Sequence, residues 1–207
     1  METTPAPPKP KSSVLRVFLI VCAVIILLAG IAQAWKGVKR LRARNSPEFV
    51  KLVAESDKAV EEGGRYASEA APLFQQMLKD VDGLGLENFR AQQKEVAAKT
   101  SDLFGKSIEQ FRLADKKLEE SRGLNRKEQL TPFLLTKSRS YDLRAETLEI
   151  NQEIIRLILD DSIASADVLL PRLHEAAARR DEMGKKAHAA NDEATEIGKR
   201  IQAEAKK

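Results

Sequence analysis

The chain has 207 residues, of which 32% are charged and 43% hydrophobic but only 5% aromatic, a mix that suits long helices better than a thick sandwich or barrel core. A single cysteine excludes an intrachain disulfide framework, and two histidines leave little for a histidine-built metal or catalytic centre. Of the 35 Lys/Arg and 31 Asp/Glu behind the net charge of +4, eight bases and one acid fall within residues 1–45, so the remainder holds 27 bases against 30 acids and gives no argument for nucleic acid.

Residues 1–13 are rich in proline and lysine and lack apolar periodicity, which predicts a disordered tail with polyproline II character. Pro5-Ala-Pro-Pro8 fits a PxxP pattern, but low-complexity sequence satisfies that pattern readily, and the tail reads as a spacer.

From Val17 to Trp35 the chain carries no charge over 19 residues. As a helix this run would be about 28 Å long, close to the hydrocarbon thickness of a bilayer. Arg16 and Lys36 bracket it, and Trp35 stands where an interfacial aromatic is expected. Residues 14–36 are therefore predicted to be a transmembrane helix acting as a signal anchor. A basic juxtamembrane segment follows at 37–45 with Lys39, Arg40, Arg42 and Arg44, so the expected membrane-interface residues are these four with Arg16, Trp35 and Lys36. The alternative is a cleaved signal peptide, because Ala32-Gln33-Ala34 fits a small-x-small cleavage site. The basic flank after the span hinders translocation, which inclines the rest of the chain to the cytoplasmic side of the cell membrane.

Residues 46–207 read as helices throughout. Ser46-Pro47 and Thr131-Pro132 each match an N-cap followed by proline at the first helical position. The seam Phe49, Val53, Ser56, Val60, Gly63, Ala67, Ala70, Phe74, Met77, Val81 alternates steps of four and three, predicting one helix that ends at Asp82-Gly83-Leu84-Gly85. A second helix is predicted over 87–122, with Phe89, Val96, Leu103, Phe104, Ile108, Phe111, Ala114 and Leu118 on one side. A third starts at Thr131, and its seam runs on through Leu159, Ser162 and Ala166 into Leu169 and Leu173 without losing phase. Only Ser138, Gln152, Ser162 and Arg180 break that row.

Two readings of this last half follow. One is a turn before Pro171, giving four helices of similar length at 47–82, 87–122, 131–166 and 171–205. The other is a single long helix kinked at Pro171, as Pro72 would kink the first. Short connections force antiparallel neighbours, and small seam residues favour an intramolecular bundle over a parallel dimeric rod. The fold class is all-α: an N-terminal transmembrane helix, then a long antiparallel helical bundle or coiled coil of three to four helices. The oligomeric state is left open.

No motif points to catalysis. Gly105-Lys106-Ser107 resembles the end of a P-loop, but Thr100 stands where a glycine is needed and the surrounding pattern is helical. His174-Glu175 begins like a zincin helix, yet Ala178 occupies the second histidine's place, and neither His174 nor His188 has a Glu three residues earlier, so the Glu-x-x-His di-iron pattern is absent. Glu149, Glu153, Asp160 and Asp161 read as solvated carboxylates or partners for bases such as Arg156. No catalytic, cofactor-binding or metal site is assigned.

A single apolar span ahead of a helical bundle resembles, in outline, the sensor modules of bacterial chemoreceptor-like proteins. That resemblance concerns architecture alone and carries no role across. The expected function is a non-catalytic, single-pass membrane-anchored bundle that serves as an interaction, scaffold or tethering module, with the lipid membrane and a protein as partners and no nucleic acid. Two alternatives stand beside it. One is an exported soluble helical protein; the other is a bundle that senses a small ligand between its helices, for which Tyr66, Tyr141 and Gln152 could offer polar contacts.

Overall fold

The computed structural model describes residues 46–80, 86–163 and 165–204. Four helices make up nearly all of this: α1 (Pro47–Asp80), α2 (Leu86–Gly123), α3 (Thr131–Leu159) and α4 (Ala166–Glu204), with a short 3₁₀ turn at Glu128–Leu130. No strand occurs among the described residues. The chain is all-α and its helices pack as a bundle. None of the described helices is long and apolar enough to cross a membrane. The predicted span at 14–36, the tail before it, and the interface residues Arg16, Trp35, Lys36, Lys39, Arg40, Arg42 and Arg44 lie outside the described residues.

Each helix packs on the next: α1 on α2, α2 on α3, and α3 on α4. Bonds between neighbours fix their directions. Ser56 meets Ala114 and Ser107 meets Gly63, while Gln152 meets Ser101 and Ser138 meets Asp115. Lys137 meets Asn191, and Glu153 meets Arg179. In every pair one number rises as the other falls, so all three interfaces are antiparallel. The first and last helices, α1 and α4, do not pair closely in this way.

The α1 seam is buried as its spacing predicts, with Phe49, Val53, Ser56, Val60, Ala70, Phe74 and Met77 inside. Ser46 caps the helix, its hydroxyl accepting from the Phe49 amide at 3.2 Å. Pro72 sits inside α1 on an exposed position, where the Ser68 carbonyl it cannot serve can turn to water. On α2, Phe89, Leu103, Phe104, Ile108, Phe111, Ala114 and Leu118 face inward, and Phe104 meets Phe74 edge-to-face with centroids 5.4 Å apart.

Two boundaries differ from expectation. Thr131 is the first residue of α3 and not its cap; Leu130 caps it from the 3₁₀ turn, and the Thr131 hydroxyl accepts from the Asn125 side chain at 3.2 Å. The break between the third and fourth helices falls after Leu159 and before Ala166, earlier than the expected turn just before Pro171, which lies within α4. The third seam is therefore not one continuous helix. Its reversal needs no glycine, because Asp160 accepts from both the amide (2.9 Å) and the hydroxyl (2.6 Å) of Ser162 in an Asx turn.

Candidate functional site

Because α3 packs against both α2 and α4, its buried surface is wider than one stripe. Leu134, Ser138, Tyr141, Ala145, Leu148 and Ile155 are the seam, and Phe133, Lys137, Ser140, Arg144, Ile154 and Ile158 are buried beside it. Lys137, Tyr141 and Arg144 stand at i, i+4 and i+7, which places them on one face of the helix. Each of the other helices supplies a neighbour to this face. Asn191 of α4 accepts a 2.9 Å bond from Lys137 Nζ, Phe111 of α2 lies under Arg144, and Asp57 of α1 is close enough to favour the charged form of Lys137. The face therefore looks onto the axis of the bundle.

Both cations approach the Tyr141 ring. Lys137 Nζ is 5.8 Å from its centroid and the Arg144 guanidinium carbon 6.0 Å, with Arg144 also 5.7 Å from the Phe111 centroid. Burial is nearly complete, with Lys137 at 0% exposure and Arg144 at 7%. Loss of solvent, with Arg144 nearby, brings the Lys137 ammonium down to about 8 against the small opposing pull of Asp57. Burial also pushes the Arg144 guanidinium down, although an arginine stays charged at neutral pH.

One turn along, the Asp115 carboxylate takes the Ser138 hydroxyl. Its pKa is raised because burial outweighs that bond. This explains one break in the third seam. Gln152 explains another, donating to the Ser101 carbonyl at 2.9 Å, and Arg180 a third, since both Nε and Nη2 reach Asp181. Ser162 is in the reversal.

At the far end, Arg90 of α2 crosses to the α3–α4 reversal. Its Nε donates to the Ile158 carbonyl at 2.9 Å and its Nη2 to the Ile163 carbonyl at 2.8 Å. Beside it a surface cleft of about 420 Å³ is lined by Arg90, Ala91, Lys94, Leu159 and Asp161. The guanidinium meets one carbonyl that the end of α3 would otherwise leave without a donor, that of Ile158, and one from the reversal after it, that of Ile163.

The residues singled out from the sequence fall in separate places. Gly105-Lys106-Ser107 is mid-α2, and the Ser107 hydroxyl donates to the Gly63 carbonyl at 2.7 Å. His174 and His188 are exposed on α4, the latter 3.4 Å from Asp192. Glu149 pairs with Arg112 and Glu153 with Arg179, so these carboxylates serve neighbouring helices and not Arg156. No group of three or more potential metal ligands forms among the described residues. Tyr66 is half-buried under Arg65, 4.9 Å from its centroid. Tyr141 and Gln152 are about 16 Å apart along α3, too far to share one small ligand. Sequence reading missed Arg90, Lys137, Arg144 and Asn191 because a periodicity search treats a long cation or an amide as a solvent-facing residue.

No protein-family model, no curated protein and no solved structure matches the chain.

Proposed function

We propose that the chain is a non-catalytic, membrane-anchored helical module that engages a protein partner. Residues 14–36 form its single span, and Arg16, Trp35, Lys36, Lys39, Arg40, Arg42 and Arg44 lie at the headgroups. The observation that supports this reading is the open edge of the bundle. α1 and α4 each pack closely on one neighbour only, so each keeps a long flank free for another helix or protein surface. The basic flank favours a bundle on the cytoplasmic side, where each Lys or Arg near anionic lipid is worth ~1 kcal/mol.

Membrane fractionation tests the anchor. The full chain should resist alkaline extraction, and deletion of residues 1–45 should release it. A soluble chain beginning at Trp35 would replace this reading with the exported one. Photo-crosslinkers at Lys58 on α1 and Lys185 on α4, both exposed, test the partner in cells. A discrete adduct absent from a crosslinker on α2 at Lys116 is expected, and no adduct at either position would sink the interaction role. A second reading, ligand binding between helices, is favoured by the buried cations of α3.

A further inference from the structure

Three cations are buried among the described residues, Arg90, Lys137 and Arg144, and no Asp or Glu is buried with them. Arg90 spends its Nε and Nη2 donors on two carbonyls. On Arg144 the same two atoms, Nε and Nη2, are buried and meet no acceptor among the described residues. The faces of Phe111 and Tyr141 attract the charge, but they do not take the in-plane N–H groups. A buried charge whose donors go unmet is among the costlier arrangements in a protein interior, and apolar residues of similar volume would avoid it. The Nε/Nη2 edge presents two parallel N–H bonds spaced to match the two oxygens of a carboxylate.

We propose that Arg144 and Lys137 form an oxyanion site on the axis of the bundle that takes a small monocarboxylate. The Arg144 edge holds both carboxylate oxygens, Lys137 supplies a second positive charge, and the Asn191 amide fixes the lysine from α4. The rings of Phe111 and Tyr141 flank the guanidinium, which suits an acid with an apolar body better than a doubly charged, strongly hydrated phosphate. By the antiparallel register of Lys137 with Asn191 and Glu153 with Arg179, Arg144 is level with residues 184–188 of α4. The site goes beyond the proposed partner role and stands or falls separately from it.

Thermal unfolding of the full chain in detergent tests the site, with sodium benzoate, sodium phosphate and sodium chloride at matched ionic strength. Benzoate should raise the midpoint saturably, by about 5 °C at a hundredfold excess over its dissociation constant, and chloride should not. Arg144→Met should abolish the benzoate response while unfolding at a higher midpoint than the wild type without benzoate. Arg144→Lys, which keeps the charge but loses the fork, should need at least tenfold more benzoate for the same shift. If Arg144→Met does not fold, Arg144→Lys and Lys137→Met carry the test, each expected to weaken the response. Equal shifts from benzoate and chloride, or undiminished responses in the folded variants, would overturn the site. A larger shift with phosphate would overturn its carboxylate character.

Discussion

The Ser107 hydroxyl of α2 donates to the Gly63 carbonyl of α1 across 2.7 Å, drawing the two backbones together at the buried Gly63-Gly64 pair. A Cβ added to Gly63 would stand 3.2 Å from Gln110 Cβ and 3.3 Å from the Ser107 carbonyl oxygen. Both atoms are anchored to the α2 backbone and cannot rotate away. Gly63→Leu should therefore cost about 2 kcal/mol or more through overpacking. Gly184 of α4 is the contrast, since its added Cβ meets nothing within 4 Å and its φ is not positive. Gly184→Ala should stabilise by roughly 0.5–1 kcal/mol from helix propensity alone. Urea midpoints for both variants check the pair, and similar effects from the two would refute the close-approach account.

Arg90 closes the end of α3 from a different helix. Replacing it with Met keeps the stem's volume and leaves the Ile158 and Ile163 carbonyls without their donor. The expected cost is about 2–4 kcal/mol for two charge-assisted bonds to buried acceptors. Amide exchange should speed up first around the reversal at 160–165. Uniform acceleration over all four helices would instead mean that Arg90 supports the whole bundle and not this turn.

The same reversal shows where the sequence was legible and where it was not. Seam residues such as Phe49, Val53, Phe104, Leu134 and Ala194 are buried where a three–four alternation puts them, because apolar burial is periodic and local. The break at 160–165 carries no glycine, and the heptad phase passes through it undisturbed. What ends α3 there is the Asp160–Ser162 turn together with Arg90, a residue some seventy positions earlier in the chain. Nothing local announces a donor from that distance. The buried cations were hidden for a related reason, since only the packing of α2 and α4 against both sides of α3 puts Lys137 and Arg144 inside.

Pro171 gives a third test. It stands in the second turn of α4 on an exposed position, and Ser165 already receives the Val168 and Leu169 amides on its carbonyl. Pro171→Ala restores one amide, which can bond the Asp167 carbonyl, and should stabilise by about 1 kcal/mol, less than the full interior penalty because the helix end tolerates distortion. Marked destabilisation would mean that the ring defines the start of α4. Calorimetry on the full chain distinguishes the two.

Lys137 should leave a signature in the alkaline range. Its folded-state pKa of about 8 lies below the ordinary 10.5, so between these values the unfolded chain holds more protons than the folded one. Stability must then rise with pH across that window. Below about 8 the ammonium is charged in both states and the burial cost is felt in full; above 10.5 the amine is neutral in both and the cost is gone. The groups around it act in both directions: Arg144 on its own helix lowers the pKa, Asp57 from α1 raises it, and the Asn191 oxygen from α4 accepts its proton in either state. On α2, Asp115 is engaged by Ser138, the residue next to Lys137. Lys106 and Lys117, both paired with carboxylates, have raised values and lose their contribution at still higher pH, but a comparison with Lys137→Met cancels them. The stability of the wild type relative to Lys137→Met should therefore grow by up to roughly 3 kcal/mol from pH 7 to pH 11. Urea unfolding of the two proteins across that range reads the difference directly. A flat difference would show that the ammonium stays charged and compensated inside the bundle, and the account of an undercompensated cation on α3 would fall with it.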